Sequence, residues 1–338
     1  MGFFEKIIFW FNSVVAFLLV VSFVLPYLSP KSFPTLSLLS LGVSPLILIN
    51  IIFALFWMVR LKKQALISII ILTIASIHFN SFLEFSSEED PQDYRNTLHI
   101  LSYNVRLFNA YEKAPTEDAQ AIISELLEQE QPDIFFIQEY YRNSTIEILD
   151  YPYSFIHFKN DKNKLGHAIF SKYPLINTGA FDFEDSYNNT LYADVVKGND
   201  TIRLYNLHLQ SLGIQPSVDY LQEENNDRLR KRLSQAFIKQ QNQVSKIMKH
   251  KESSPYPVLL GGDFNNTPFS YVCRKVGNEM NDAFLEKGNG LGTTFLFDSY
   301  PMRIDYIFTS DKFDILKFNT IKKTFSDHYP ISTTIGWN

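Results

Sequence analysis

The sequence predicts an α/β protein. We expect a four-layer α/β sandwich, in which helices flank two packed mixed β-sheets, preceded by an N-terminal transmembrane helical region. Two patterns lead to this expectation. Residues 1–83 are apolar and almost uncharged, whereas strand-like and helix-like segments alternate from residue 98 onward. The predicted division is therefore a membrane anchor at 1–83, a polar, acidic linker at 84–97 and a globular domain at 98–338.

The N-terminal part holds three apolar stretches, at about 7–28, 36–59 and 65–79. A helix needs about 20 residues to cross the hydrocarbon core of a bilayer, so the first two stretches are long enough and the third is short. The first stretch exceeds the apolar core of a secretory signal peptide, and a second follows it closely. A buried helical hairpin is the alternative, but the stretches show no amphipathic period that would support it. We therefore expect an anchor of about three transmembrane helices.

The basic residues of the short loops predict the orientation of this anchor. Arg60, Lys62 and Lys63 lie together between the second and third stretches, and Lys6 precedes the first, whereas only Lys31 separates the first two. Cytoplasmic loops carry the excess of lysine and arginine. The N-terminus is therefore expected in the cytoplasm. Three crossings of the cytoplasmic (inner) membrane then place the globular domain outside the cytoplasm, in the periplasm.

From residue 98 the elements follow one another in alternation. Residues 98–105 are typical of a strand, and 117–130 have helical spacing, with Thr116 as the expected N-cap. Residues 133–139 form a short apolar run typical of a strand buried on both faces. A long polar helix is expected at about 219–250. Further strands are predicted at 153–158, 167–171, 190–197, 201–209, 257–262, 304–309 and 330–335.

Polar residues stand where several of these strands end. They are Asn104, Glu139, His208, Asp263, Asn265, Asp305, Asp327 and His328. Because oxygen ligands with few nitrogens suit hard cations, the set favours Mg²⁺, with Mn²⁺ or Ca²⁺ as alternatives, over zinc. The single cysteine excludes an internal disulfide and a multi-cysteine zinc site. Carboxylates and histidines around a hard cation are suited to phosphoryl transfer.

At these residues the chain resembles the endonuclease/exonuclease/phosphatase (deoxyribonuclease I-like) family of metal-dependent phosphodiesterases. Gly-Asp-Phe-Asn at 262–265 followed by Ser-Asp-His at 326–328 is the most specific part of the resemblance. The other motifs, in the family's order, are Leu-Ser-Tyr-Asn-Val at 101–105, Ile-Gln-Glu at 137–139, Gly-His-Ala-Ile-Phe-Ser at 166–171, Asn-Leu-His-Leu at 206–209 and Arg-Ile-Asp-Tyr-Ile at 303–307.

The resemblance implies a ligand set for the cation. Glu139 matches the principal metal-binding glutamate of the family, and Asn104 matches the asparagine beside it. Asp327 matches a ligand of the metal or of its water. Several family members have an acidic residue two positions after that asparagine, where this chain has Arg106. Arg106 is therefore expected to contact a substrate phosphate instead.

The resemblance also implies catalytic roles. Asp263 matches an aspartate assigned to activation of the nucleophile or to a second metal, and Asn265 matches an asparagine that holds the scissile phosphate. His328 matches the essential histidine, oriented by Asp305, and the roles of Asp263 and His328 as general base are interchangeable at this stage. His208 is expected to donate a hydrogen bond to the phosphate, although the sequence offers it no clear carboxylate partner.

His167 stands where the family usually has a bulky apolar residue. Alone, this histidine is more readily explained as a structural residue than as a functional one.

The implied function is a membrane-anchored, divalent-metal-dependent phosphoester hydrolase, foremost a phosphodiesterase or endonuclease acting outside the cytoplasm. The alternatives are hydrolysis of a lipid head group, as in sphingomyelinases, or of an inositol phosphate, and a catalytically inactive binding protein of the same fold. The partners are then the phosphoester substrate and the bilayer, and no protein partner can be inferred.

The charge of the globular part bears on the substrate. Residues 84–338 carry 26 basic and 35 acidic side chains, a net charge of −9. This modestly disfavours nucleic acid, whose phosphates attract basic grooves. Basic residues on the predicted helix at 219–250 face either phosphates or solvent; they are Arg228, Arg230, Lys231, Arg232, Lys239 and Lys246.

The predicted orientation can be tested with a reporter. An alkaline phosphatase fused after residue 90 should be active, because that enzyme matures only outside the cytoplasm. Replacing Arg60, Lys62 and Lys63 together by glutamate should lower reporter activity, since the positive charges that hold this loop inside are lost. A reporter confined to the cytoplasm in the unaltered chain contradicts the assigned orientation.

Overall fold

The computed structural model of the chain describes residues 2–79, 83–112 and 117–338. The helices are α1 (Phe3–Ser22), α2 (Pro34–Ser37), α3 (Val43–Val59), α4 (Ala65–Phe79), α5 (Ala119–Glu130), α6 (Val218–Glu223), α7 (Asn226–Glu252), α8 (Tyr271–Gly277) and α9 (Ala283–Lys287). Short 3₁₀ turns lie at Leu25–Tyr27, Leu38–Gly42, Pro91–Asp93 and Arg106–Asn109.

The strands of the first half of the chain are β1 (Glu84–Phe85), β2 (Asn96–Asn104), β3 (Ile134–Tyr141), β4 (Tyr153–His157), β5 (Leu165–Ser171), β6 (Leu175–Asp182), β7 (Asn189–Lys197) and β8 (Asp200–His208). Those of the second half are β9 (Val258–Asp263), β10 (Asn281–Asp282), β11 (Asn289–Gly290), β12 (Phe295–Phe297), β13 (Tyr300–Met302), β14 (Asp305–Thr309), β15 (Asp314–Thr320) and β16 (Ile331–Trp337).

Two six-stranded mixed sheets form the body. The first sheet has the order β15-β16-β2-β3-β5-β4, and the second has the order β10-β14-β9-β8-β7-β6. In each sheet one central pair is parallel, β2 with β3 and β8 with β9, and the other pairs are antiparallel. The predicted fold class is confirmed.

Apolar packing arranges these sheets in layers. The largest core lies between them and joins Ile100 and Phe136 of the first sheet to Leu204 and Leu259 of the second. The outer face of the first sheet is covered by α5, and that of the second by α7 and α8. Each sheet therefore buries both faces, which explains why its central strands are continuous apolar runs.

The first helix of the body begins later than predicted. Asp118 is its N-cap, and its carboxylate accepts hydrogen bonds from the backbone amides of Gln120 and Ala121, at 2.9 and 3.2 Å. The prediction of a start at Glu117 is therefore wrong. The predicted cap, Thr116, lies outside the described residues.

The helix predicted at 219–250 is two helices, α6 and α7. The chain is extended at Glu224 and Asn225, and the Asn225 side chain caps α7 by accepting from the amide of Arg228 at 3.0 Å. Strands β6 and β15 were not among the predicted strands. Both are edge strands, whose partly exposed residues lack the unbroken apolar run of the central strands.

Helices α1, α3 and α4 contact one another at the N-terminus of the chain. Two helical segments, Phe3–Tyr27 and Pro34–Val59, are long and apolar enough to cross a membrane, whereas Ala65–Phe79 is shorter. Their buried contacts include polar ones: Asn12 donates to Ser68 Oγ at 2.6 Å and accepts from Trp57 Nε1 at 3.1 Å. Such hydrogen bonds join helices where apolar packing alone gives little specificity.

The body contacts one end of this helix group. Phe269 of the body packs against the C-terminal half of α1 and the start of α3, and its ring lies 4.8 Å from that of Phe79 at the end of α4. Beside it, Gln241 Oε1 accepts from Ser29 Oγ and from the amide of Lys31, at 3.0 and 2.9 Å. The basic loop at 60–63 joins α3 to α4 at the opposite end.

Candidate active site

Strand register brings three of the predicted site residues into one row. In the second sheet His208 of β8 pairs with Asp263 of β9, and Asp263 pairs with Asp305 of β14. Neighbouring strands lie about 4.8 Å apart, so these side chains are adjacent. All three are almost fully buried, with at most 3% of each residue exposed.

Glu139 reaches the same point from the first sheet because β3 is irregular there. The pairing of β3 with β5 shifts register between Ile137 and Tyr140, and Glu139 within this bulge has φ +56°. A bulge redirects a side chain relative to the regular alternation of a strand. Asn104, at the end of β2, donates from Nδ2 to Glu139 Oε1 at 3.3 Å and to Asp263 Oδ2 at 3.1 Å. One amide therefore links a carboxylate from each sheet.

Asp263 lies at the centre of the group. Its Oδ2 also accepts from Asn265 Nδ2 at 3.0 Å, and its Oδ1 accepts from the Asn265 backbone amide at 2.7 Å. The preceding residue must be glycine, because a Cβ on Gly262 would lie 2.0 Å from the carbonyl oxygen of Leu207 and its φ is +134°. The Gly-Asp-Phe-Asn motif thus turns the chain tightly at the site.

His328 and Asp305 form a close buried pair. Nδ1 of His328 lies 2.9 and 3.2 Å from the two carboxylate oxygens of Asp305, and its Nε2 lies 3.8 Å from Asp263 Oδ2. Burial lowers the pKa of His328, but the charges of Asp305 and Asp263 outweigh burial and raise that pKa to about 10. Asp305 and Asp263 therefore favour the protonated form of His328, which Asp305 holds and which is directed at Asp263.

Two acidic residues of the site, Asp263 and Glu139, have elevated pKa values. Burial raises the pKa of Asp263 and of Glu139, against the opposing charge of His328 in both cases. Buried carboxylates ionise fully only when cations compensate them. Ligand atoms of Asp263, Asp305 and His328 lie within 4.8 Å of one another, a spacing that a metal ion could bridge. The donor set and its unmet negative charge fit a hard divalent cation.

A cavity of about 240 Å³ opens onto this group. Glu139, Asp263, Asn265, Asp327 and His328 all line it, and so does Arg106 at its mouth.

Arg106 forms an ion pair with Glu112 at 2.8 Å and lies 3.9 Å from Asp327, with about half of its side chain exposed. Five of the eight predicted site residues at strand ends therefore line the cavity together with Arg106, and the other three are Asn104, His208 and Asp305.

Asp305 and His208 stand behind the cavity rather than in its lining, as does Asn104. His208 is 2% exposed, and its Nε2 lies 3.5 Å from Asp263 Oδ2 and 3.7 Å from Glu139 Oε1. Its ring thus faces the two carboxylates, and they separate it from the cavity where a phosphate was expected to meet it.

The partner of His208 is a second histidine. Nε2 of His167, on β5, lies 3.0 Å from His208 Nδ1, and His167 is completely buried. Burial lowers the pKa of both histidines, that of His167 to about 3, so both rings are neutral. His167 departs from the usual pattern of the family, but its pairing with His208 was not predicted. The only available signal was a histidine in place of an apolar residue.

Hydrogen bonding decides where the protons of this pair lie. Nδ1 of His167 has no hydrogen-bond partner among the residues that the structure describes. A buried N–H without an acceptor is costly, so the proton of His167 belongs on Nε2, from which it is donated to His208 Nδ1. His208 then carries its own proton on Nε2, directed at Asp263 and Glu139.

A family model described as the endonuclease/exonuclease/phosphatase family matches residues 101–328, about two thirds of the chain. A second model, described as a domain of unknown function, matches residues 5–82. No curated protein matches the sequence.

Solved structures share the fold at low sequence identity. An endonuclease/exonuclease/phosphatase from Beutenbergia cavernae is 16% identical, with 72% of each chain covered and a TM-score of 0.54. The human nocturnin catalytic domain with bound sulfate is 15% identical over 75% of this chain and 97% of that one, with a TM-score of 0.54. D. rerio TDP2 complexed with a single-strand DNA product is 17% identical over 71% and 99%, with a TM-score of 0.53.

The contact between His328 and Asp305 predicts a steep, non-additive loss of activity. Asp305→Asn keeps the size of the side chain but removes the charge that holds His328, and turnover of a phosphodiester should fall about 10³–10⁴-fold. His328→Ala should cost at least as much. The double variant should be little worse than the worse single one, because the two residues act as a unit.

Asp311→Asn, in the exposed turn after β14, is the matched control and should keep full activity. Kinetics and melting temperatures of all four variants test the pair. Small, additive losses of activity in stable, folded variants would show that the His328–Asp305 pair does not take part in catalysis.

The tautomer of His208 predicts different effects for two substitutions of His167. His167→Phe removes the donor to His208 Nδ1 and should lower kcat about 10–100-fold, the usual cost of losing a partner that orients a site residue. His167→Gln can donate from a similar position and should keep most of the activity. ¹⁵N NMR of the His208 ring reads the tautomer directly. An unchanged ring tautomer in His167→Phe contradicts the proposed role, whatever the stability of the variant.

Proposed function

The chain belongs to the endonuclease/exonuclease/phosphatase family, and from this premise we propose that it is a membrane-anchored, divalent-metal-dependent phosphodiester hydrolase that acts outside the cytoplasm. The observation that carries the proposal is the convergence of Glu139 and Asp263, from different sheets, with the His328–Asp305 pair at one cavity. Hydrolysis adds water to phosphorus, breaks an ester P–O bond and releases an alcohol.

The cation is proposed to bind at Glu139 and Asp327, with Asn104 beside them, as the family resemblance implies. Bound there, it would neutralise phosphate charge and polarise a phosphoryl oxygen. The Asn104 amide nitrogen faces both Glu139 and Asp263, and its oxygen accepts from the Arg106 amide at 3.0 Å. Asn104 thus also holds the two carboxylates at a fixed separation.

The remaining groups handle the proton and the developing charge. Asp263 lines the cavity and is the candidate to take the proton of the attacking water, because the neighbouring Asp305 favours the protonated form of His328. His328 lines the cavity and can donate to phosphate oxygens as negative charge accumulates. Asn265 also lines it, and its amide can do so by exchanging its hydrogen bond to Asp263 or to the Leu209 carbonyl. Arg106 can pair with a phosphate oxygen at the mouth. His208 supports Asp263 from behind.

Location outside the cytoplasm is supported by the body's contact with one end of the N-terminal helices, opposite the basic loop at 60–63. With that loop in the cytoplasm, the body lies on the other side of the membrane. The predicted parts at 1–83, 84–97 and 98–338 are consistent with this arrangement. The relatives include D. rerio TDP2, whose structure holds a single-strand DNA product, which supports phosphodiester chemistry on this fold.

Activity and its cation are tested together on the full chain in detergent. Bis-p-nitrophenyl phosphate should be hydrolysed with Mg²⁺ and not after EDTA treatment. Glu139→Gln removes an anionic ligand while keeping its shape, so activity should fall at least about 100-fold and recover partly in excess Mg²⁺.

Glu128→Gln, on the exposed face of α5, is the matched control and should behave as the unaltered chain. Calorimetric titration measures Mg²⁺ binding without turnover. Equal Mg²⁺ affinities of Glu139→Gln and its control would show that Glu139 is not a ligand of the cation. Absence of hydrolysis by the unaltered chain would refute the proposal that it is a hydrolase.

A further inference from the structure

The cavity at the site is polar on its floor and apolar on one side. The apolar wall consists of partly exposed side chains: Leu41, Ile214, Pro216, Phe295, Phe297 and Met302. Phe295 adjoins the catalytic group directly, because its ring lies 5.0 Å from that of His328. A small charged phosphoester would not contact such an apolar wall. Exposure of this wall to water is unfavourable unless an apolar group covers it.

One residue of the wall comes from the N-terminal helical region. Leu41 lies in the turn Leu38–Gly42, directly before α3. Leu38 and Leu41 pack on Leu212 and on Phe237 of α7. Thr267 Oγ1 donates to the carbonyl of Ser40 at 3.2 Å. The first turns of the second helical segment that is long enough to cross a membrane are therefore fixed against the body at the edge of the catalytic cavity.

The hairpin of β12 and β13 continues the apolar surface toward α3. Phe297 and Met302 of this hairpin face the catalytic cavity. Tyr300 and Pro301 line a second cavity, of about 160 Å³, whose other side is Leu48 of α3. Leu48 is itself 44% exposed, on a helix apolar enough to lie in lipid. Apolar side chains of this hairpin thus line both the catalytic cavity and a second cavity beside a predicted transmembrane helix.

The charges around the cavity disfavour a long polyanion. Among the described residues that line it, Arg106 is the only arginine or lysine. The basic residues of the α6–α7 region stand outside the lining, and Arg232 is paired with Glu224 at 3.3 Å. A nucleic acid strand needs several cations along its path.

We propose that the cavity binds a phosphoester lipid drawn from the bilayer, with its phosphate on the polar floor and a hydrocarbon chain along the apolar wall. This assignment rests on the proposed hydrolase function and names its substrate class. The N-terminal helices then do more than tether the enzyme: the turn at Leu38–Gly42 completes the binding site at the membrane surface.

Three synthetic diesters with the same p-nitrophenyl leaving group test the assignment. They are the methyl, hexadecyl and thymidine-5′ p-nitrophenyl phosphates, assayed with Mg²⁺ on the full chain in phosphatidylcholine vesicles. Burial of each methylene favours binding by about fourfold. We expect kcat/KM for the hexadecyl ester to exceed that for the methyl ester at least about tenfold, and the thymidine ester to resemble the methyl ester.

Paired variants separate binding in the cavity from simple partition into the vesicle. Leu41→Ser should lower the ratio of hexadecyl to methyl kcat/KM at least about fivefold, whereas Leu39→Ser, an exposed residue of the same turn, should leave that ratio unchanged. Phe297→Ser and its exposed neighbour Leu296→Ser make a second pair on β12, which preserves the test if Leu41→Ser does not fold.

The outcomes are distinct. Hydrolysis with equal ratios for all variants, or preference for the thymidine ester, overturns the lipid assignment while the hydrolase stands. Failure to hydrolyse any of the three esters refutes the proposed function, and the lipid assignment with it. A ratio lowered only by the cavity-facing member of each pair supports the assignment.

Discussion

The arrangement of this site depends on holding side by side two carboxylates from different sheets, the buried Asp263 and the partly buried Glu139. Glu139 and Asp263 repel each other and lose hydration on burial, so their proximity must be supported by other groups. The Asn104 amide supplies part of that support by donating to both. Nε2 of His328 faces Asp263, and the Nε2–H of His208 faces both carboxylates.

That requirement explains local features that a regular sandwich would not contain. The bulge at Glu139 turns a strand residue toward the opposite sheet, and Gly262 permits the chain to pass the Leu207 carbonyl at a distance that no side chain allows. The sheets are also tied together by polar groups beneath the site: Asn206 donates to the carbonyls of Ile137 and Ala168, at 3.0 and 2.9 Å. Asn206 of the Asn-Leu-His motif thus stabilises the packing of the two sheets, whereas His208 of the same motif contacts the carboxylates of the site.

The second consequence concerns the position of the site relative to the N-terminal helices. The body contacts the same end of those helices that carries the Leu38–Gly42 turn, and this turn borders the catalytic cavity. The proposed anchoring and the proposed access of substrate to the cavity would therefore be linked by geometry. A flexible tether would leave the cavity free to face in any direction, whereas these packed contacts hold its apolar side next to α3.

The sequence by itself determined the fold class, the central strands and the residues at their ends. Apolar runs identify strands buried on both faces, and the spacing of the motifs from Asn104 to His328 predicts which polar groups could meet. Partly exposed edge strands lack such apolar runs, so β6 and β15 were not predicted. The break between α6 and α7 depends on the Asn225 cap, one side chain within a continuous polar stretch. The pairing of His167 with His208, the shielding of His208 from the cavity and the contribution of Leu41 were decided by the tertiary structure alone. Each of these contacts joins residues at least 40 positions apart through strand register or helix docking. Periodicity along the chain predicts which face of an element a side chain lies on, but it does not predict which distant residue that side chain contacts.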